Sequence, residues 1–325
     1  MAILVTGGAG YIGSHAVLAL INARRDVLVI DNLSTGFRDA VPSAATFIHG
    51  DIGDKTLVAR VLAERRVSAV LHFAASVVVS DSVGHPLDYY ANNTLKTCAL
   101  IEACIAGGVD RFIFSSTAAV YGVPTVSPVP EDAPLAPISP YGASKAMSER
   151  ILMDAADAHG LSYAILRYFN VAGADPAGRA GQRMPRGTHL IKVAVEAVVN
   201  RRREITVFGS DYGTRDGTAI RDYIHVSDLA DAHLKALTHL EAGGASLVLN
   251  CGYGRGYTVR EVIRAVEAES GCRLAVRDGP PRPGDPAVLV ADTRLIDRAL
   301  PWRPRYDDLR RIVRTALDFE ASAVL

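Results

Sequence analysis

Short apolar runs alternate with longer amphipathic stretches through the first half of the chain. They are Ile3 to Val5, Val27 to Ile30, Thr46 to His49, Ala69 to His72, Arg111 to Ser115 and Ser162 to Arg167. Each run has the length of a strand, and the stretches between them have room for a covering helix. Strands that read as continuous apolar runs are buried on both faces. The pattern therefore predicts an α/β fold built on a Rossmann-like, doubly wound parallel sheet. From about Asn170 the texture changes: Gly173 to Gly187 is polar, rich in Gly and Arg, and reads as a loop. Beyond it the pattern predicts a helix at His189 to Asn200, a strand at Thr206 to Phe208, and a helix from Ser227 to Leu240 with Ser227 as N-cap. A Gly/Pro-rich passage from Asp278 to Pro286 predicts a second loop, lining a cleft. The expected division is a large unit over 1–170, to which the chain returns around 218–242, and a smaller C-terminal α/β unit over 171–325.

Composition excludes more than it identifies. Thirty-five basic residues balance thirty-five acidic ones among 325, so no global field recruits nucleic acid or an anionic membrane. The run Arg201-Arg202-Arg203 reads as a solvated helix end. The start carries no secretory-signal pattern and no apolar run is long enough for a bilayer, so the expected compartment is the cytoplasm. Cys98, Cys104, Cys251 and Cys272 form no C-x-x-C pair and read as free buried thiols. The nine histidines form no metal-ligand motif, so no metal is expected.

Gly7-Gly8-Ala9-Gly10-Tyr11-Ile12-Gly13 lies between the first apolar run and an expected helix, Tyr11 to Asn22, which is the context a dinucleotide fingerprint requires. Gly7 and Gly10 allow the turn and the approach of a pyrophosphate, and Gly13 allows close helix–strand packing. Asp31 ends the second run, where a carboxylate can accept from adenosine ribose hydroxyls, which favours NAD over NADP. Asp51-Ile52 and Phe73-Ala74-Ala75 follow the third and fourth runs, at the edge where such sheets bind ligands.

Ser115-Ser116-Thr117 closes the fifth run, and Tyr141-Gly142-Ala143-Ser144-Lys145 places a phenol and an amine one helical turn apart. An ammonium near a phenol favours phenolate, so the pair can make a base of tyrosine. A hydroxyl that orients a substrate alcohol, a tyrosine that takes its proton and a nicotinamide that takes hydride form one catalytic set.

On these motifs, with Arg167-Tyr168-Phe169-Asn170 and Arg221-Asp222-Tyr223-Ile224-His225, the chain resembles the extended short-chain dehydrogenase/reductases, and within them the UDP-sugar 4-epimerases. The resemblance runs nearly end to end. It implies bound NAD, oxidation at C4 of UDP-glucose or UDP-galactose, and return of the hydride to the other face of a 4-keto sugar. Tyr141 would be the acid/base, Thr117 would bind the 4-oxygen, and Lys145 would bind the nicotinamide ribose and lower the Tyr141 pKa. Dinucleotide contacts would fall on Gly7, Gly10, Tyr11, Ile12, Gly13, Asp31, Asn32, Ser34, Thr35, Gly36, Asp51, Ile52, Phe73, Ala74, Ala75, Val77, Asn92, Tyr141, Lys145 and Phe169. UDP-sugar contacts would fall on Thr117, Tyr141, Asn170, His189, Leu190, Phe208, Arg221, Arg282 and Asp285. Val77 stands where some members carry a lysine. Leu289 stands where some place a bulky tyrosine against the sugar, which implies tolerance of N-acetylated hexoses. Ala118 and Ala119 replace the acidic residues with which related dehydratases move a second proton. A uronate or pentose 4-epimerase, or a non-catalytic NAD-binding sensor, are the alternatives. A homodimer is implied by the family.

Overall fold

The computed structural model describes all residues except 184–186, 200–203, 283 and 323–325. The arginine run at 201–203 and Asn200 thus lie outside the described residues. Strands β1 (Ala2–Thr6), β2 (Val27–Asp31), β3 (Thr46–His49), β4 (Val67–His72), β5 (Arg111–Thr117) and β6 (Ser162–Tyr168) stand where the apolar runs predict. After β7 (Asn170–Ala172), β8 (Ile205–Phe208) and β9 (Ile220–His225), strand β10 (Leu247–Cys251) joins the large sheet beside β6. The sheet is parallel throughout, in the order β3-β2-β1-β4-β5-β6-β10. Strand β10 is absent from the sequence expectation, and the returning segment extends past 242 to include it.

Eleven helices accompany these strands among the described residues: α1 (Tyr11–Asn22), α2 (Lys55–Arg65), α3 (Val79–Gly84), α4 (Pro86–Tyr89), α5 (Lys96–Ala106), α6 (Pro140–His159), α7 (Leu190–Val198), α8 (Val226–Glu241), α9 (Val259–Ser270), α10 (Arg294–Ala299) and α11 (Leu309–Ser322). None is long and apolar enough to cross a membrane. Alternate strand residues face opposite layers. Ile3, Val5, Val29, Leu71 and Leu166 pack with Val17 and Leu20 of α1 and Leu229 and Leu237 of α8. Leu4, Leu28, Ile30, Val70 and Phe114 pack with Val58 of α2, Leu100 of α5 and Leu152 of α6. Each such fully buried aliphatic side chain contributes about 1.5–3 kcal/mol.

Helix α8 begins one residue earlier than predicted. His225, not Ser227, caps it: the ring Nδ1 accepts from the Ser227 N–H at 3.0 Å. Burial pushes the His225 pKa down to about 3, so the ring stays neutral and Nδ1 keeps an acceptor lone pair. Cys104 and Cys251 are buried as expected, whereas Cys98 and Cys272 are exposed, which corrects that part of the reading.

A second sheet centres on β9, which pairs with β7 and with β13 (Val288–Leu289) in parallel and with β11 (Gly256–Thr258) antiparallel. Strand β8 pairs with β12 (Val276–Gly279), so the passage expected as a loop from Asp278 begins in a strand. Only Phe169 separates β6 from β7, so the two sheets meet at the carboxyl edge of the large one.

A buried ion pair braces that edge. Arg167 on β6 donates through Nε and one terminal nitrogen to both carboxylate oxygens of Glu149 on α6, at 2.7–3.1 Å. Its other terminal nitrogen donates to the Tyr121 hydroxyl at 3.0 Å and the Glu131 carbonyl at 2.9 Å. The Ser116 hydroxyl on β5 also donates to Glu149, and Tyr121 donates to Asn250 on β10 at 2.7 Å. Side-chain exposure of Glu149 is 0% and of Arg167 5%, so removing one partner strands the other charge without water. Arg167→Met is expected to cost about 3–5 kcal/mol in urea unfolding. Glu149→Leu combined with Arg167→Met is expected to cost clearly less than the two single losses added.

Candidate active site

The glycine loop is folded by contacts that admit no side chain at two of its positions. Gly7 has a φ of +71°, and a Cβ there would stand 2.6 Å from the Ala74 nitrogen, at the point where β1 and β4 diverge. A Cβ on Gly13 would stand 2.1 Å from the Gly7 carbonyl oxygen, so α1 packs directly on the turn. At Gly10 the added carbon would meet only that same oxygen, at 3.3 Å, and the space beyond is open. No side chain caps α1, and its first turn holds no acidic residue. An uncapped helix start with an open approach suits a pyrophosphate, because the first N–H groups await an acceptor.

Asp31 accepts from the Ala9 N–H through Oδ2 at 2.9 Å and from the Leu33 N–H through Oδ1 at 2.8 Å. It therefore ties the glycine loop to the loop of Asn32, Ser34, Thr35 and Gly36, with one lone pair left on each oxygen for a ribose hydroxyl. Gly36 packs on Ala9, where a Cβ would come within 2.8 Å of backbone. Asp51 accepts from Asn32 at 2.9 Å, Lys96 at 2.7 Å and the Gly53 N–H at 2.7 Å. Burial raises its pKa, but these donors together outweigh it and hold the carboxyl below its ordinary range. Ile52 is buried beside it. Phe73 bonds back to Thr6 through its N–H at 3.0 Å. Past Ala75 the Ser76 hydroxyl accepts from Asn92 at 3.1 Å, and Val77 is 37% exposed.

The catalytic candidates converge from β5 and α6. Pro140 opens α6, Ser139 caps it by accepting from the Gly142 N–H at 3.2 Å, and Tyr141, Lys145 and Glu149 follow on one buried face. A Cβ on Gly142 would lie 2.5 Å from the Ala119 oxygen, so the first turn of α6 sits against the turn that follows Thr117. Of the three hydroxyls after Phe114, Ser115 donates to Tyr168 at 2.9 Å and Ser116 to Glu149. Only Thr117 remains for the site; its Oγ1 accepts from the Ala119 N–H at 3.1 Å.

Burial drives the Tyr141 phenol well above its ordinary pKa, with Tyr168 adding to the rise and the Thr117 hydroxyl opposing it. Burial also pushes the Lys145 pKa down to about 8, against a Glu149 charge that raises it. The Lys145 ammonium donates to the Ser115 carbonyl at 2.9 Å and lies 4.7 Å above the Phe114 ring. The residues read from sequence omit Glu149, although its i+4 spacing from Lys145 was visible.

The candidates for the nucleotide end form two groups around β9. Arg221 pairs with Asp285 at 2.5 Å, and Arg282 lies 4.3 Å above the ring of Phe208. Tyr212 belongs with them: its electrostatic neighbours are Asp285, Arg221 and Arg282, and its buried hydroxyl has no partner. No sequence motif marked it. Asn170, His189 and Leu190 line a separate recess of about 430 Å³ with Gln182, whose amide meets His189 Nδ1 at 2.8 Å. Phe169 and Leu289 pack against the apolar cluster of Ala118, Val120 and Tyr121.

Comparison with known proteins identifies the family and the fold. Residues 3–252 match the NAD dependent epimerase/dehydratase family. Over 320 residues the chain is 57% identical to a UDP-glucose 4-epimerase of Azospirillum brasilense, covering 98% of this chain and 92% of that protein. The crystal structure of UDP-glucose 4-epimerase from Brucella ovis in complex with NAD superposes with a TM-score of 0.95 at 43% identity, over 98% of both chains. The UDP-Glc/GlcNAc 4-epimerase from Campylobacter jejuni superposes at 0.87 with 46% identity, over 99% of both. A glycine loop at the divergence of β1 and β4, a buried tyrosine beside a strand-end threonine and these likenesses have one reading: the chain belongs to the NAD dependent epimerase/dehydratase family.

Proposed function

We propose that this chain catalyses the NAD-dependent, reversible 4-epimerisation of UDP-glucose and UDP-galactose. The observation that carries the reading is the convergence of Thr117 and the buried face of Tyr141 and Lys145 on the sheet edge that also holds the glycine loop. Gly7, Gly10, Gly13, Asp31 and Asp51 would hold the dinucleotide. NAD, when bound, supplies a cationic ring that accepts hydride from C4, returns it once reduced, and favours the phenolate form of a nearby tyrosine.

The chain's own groups do the rest. Tyr141 takes the proton of the C4 hydroxyl and later gives one back, and Thr117 orients the 4-oxygen. Lys145 donates to the ribose of the cofactor, with the Ser115 carbonyl fixing its reach. Arg221 and Arg282 offer planar donors to the pyrophosphate of the sugar nucleotide, and Phe208 offers a face to uracil. Ala118 and Ala119 cannot move a proton, which argues against a dehydratase.

Activity on UDP-N-acetylhexosamines is a second reading, favoured by Leu289. It packs against the cluster of Ala118 and Phe169, and its side chain is shorter than a tyrosine, which we read as space for an acetamido group. We place cofactor binding in residues 1–170 and sugar-nucleotide binding in 171–325. A homodimer is proposed as well: Val83, Leu87, Leu95 and Met147 are 48–66% exposed or, for Leu87, 79%. They lie on α3, α4, α6 and the π-helical stretch Tyr90–Leu95 that joins α4 to α5, elements that pack on one another. Such an apolar patch fits an interface better than open solvent.

Three outcomes are expected. Tyr141→Phe lowers the rate of UDP-galactose conversion by about 10²–10⁴-fold while the purified protein retains its NAD; an unchanged rate removes Tyr141 from the mechanism. Leu289→Tyr reduces kcat/KM for UDP-N-acetylglucosamine by about tenfold or more relative to UDP-glucose; an unchanged ratio refutes the steric account. Leu87→Glu shifts the sedimentation of the protein from dimer to monomer, and a monomeric parent protein would discard the interface.

A further inference from the structure

Beside the glycine loop lies an open recess lined by Gly10, Tyr11, Thr35, Phe37, Gly181 and Arg183. Arg183 comes from the Gly- and Arg-rich stretch after β7, far in sequence from the large sheet. Its guanidinium stands 4.2 Å above the Phe37 ring, and one terminal nitrogen donates to Asp39 at 2.7 Å. The Phe37 N–H donates to the Ala9 carbonyl at 3.0 Å, so the platform beneath Arg183 is tied to the glycine loop. The stretch carrying Arg183 is fixed as well. The Tyr11 hydroxyl donates to the Gly173 carbonyl at 2.6 Å, and Gly181 lies so near the Phe319 ring that a Cβ would come within 2.3 Å of it.

Charge shows why this cation matters. A pyrophosphate at the glycine loop brings two negative charges, against roughly half a positive charge from a helix start. Arg179 pairs with Asp175 and Lys96 with Asp51, while Arg38 donates to the Val41 carbonyl and lies over the Phe47 ring, outside the lining of the recess. Val77 supplies no charge. Among the described residues Arg183 is the one Lys or Arg in the lining of the recess, and Asp39 uses one of its five N–H donors.

We propose that Arg183 is a phosphate-binding residue for the dinucleotide, a clamp from the distal part of the chain, with Asp39 as the anion that competes for it. The proposal rests on NAD occupying the glycine loop. Arg183 then adds a second positive group to the pyrophosphate site, beside the start of α1.

The test is exchange of protein-bound NAD against excess isotopically labelled NAD, in the purified full chain, for the parent protein, Arg183→Gln and Asp39→Asn. Loss of a partly exposed charge-assisted contact predicts exchange about tenfold faster for Arg183→Gln. That acceleration should shrink as salt is raised, because the contact is screened. Asp39→Asn, which removes the competitor, should exchange at the parent rate or more slowly. A merely structural Arg183–Asp39 pair would make both variants faster. Faster exchange in both, or Arg183→Gln within twofold of the parent, overturns the proposal. If the parent protein binds no NAD at all, the proposed function fails instead.

Discussion

A parallel sheet covered on both faces leaves polar chemistry only the ends of its strands at which to emerge, and the candidate groups that this sheet carries obey that constraint. The two layers packed on the strands are apolar from Ile3 to Leu249 on one side and from Leu4 to Ile165 on the other. Asp31, Asp51, Thr117 and Phe169 therefore appear at or just past the carboxyl ends of their strands, and Tyr141 is brought to the same edge by the first turn of α6. The glycines there act by what they exclude. With any side chain at Gly7, Gly13 or Gly142, the loops, helix and strands could not approach as closely, and the edge would lose its shape.

Inside that edge the ion pair of Arg167 and Glu149 links β6, α6 and, through Ser116 and Tyr121, β5 and β10. Such a pair is a costly way to gain stability, since both charges lose their water. Its value lies in geometry: a bidentate bond fixes α6 in rotation about its axis, and Tyr141 and Lys145 ride on that face. Glu149 also acts on Lys145 electrostatically, opposing the loss of its proton. One buried carboxylate thus joins the placement of the catalytic helix to the charge of its amine.

The pKa directions divide the labour between protein and cofactor. Burial alone holds Tyr141 in its protonated form and brings Lys145 closer to losing its proton. On the proposed reading, a nicotinamide ring bound beside Tyr141 would bring the positive charge that favours phenolate. Desolvation, which costs the resting protein, is what makes the arriving charge count.

Six of the seven strands of the large sheet and the glycine loop were legible in the sequence because each is written in adjacent residues: an apolar run, or a tight turn of glycines. Tyr141 and Lys145 were legible for the same reason, being one helical turn apart. Strand β10 escaped because Leu247 to Cys251 follows a helix from the distal part of the chain, and nothing local says which sheet it will join. The cap of α8 was misplaced because it depends on a histidine held neutral by burial, and burial is a tertiary property. Tyr212, Glu149 and Arg183 were missed for a like reason: their partners lie far along the chain, and only folding sets an orphaned hydroxyl among Arg221 and Asp285 or an arginine above Phe37. Sequence alone determined the doubly wound sheet and its nucleotide chemistry, through periodicity and short-range spacing. Tertiary structure decided which charges are spent and which remain available, because desolvation and long-range pairing arise only when distant segments meet.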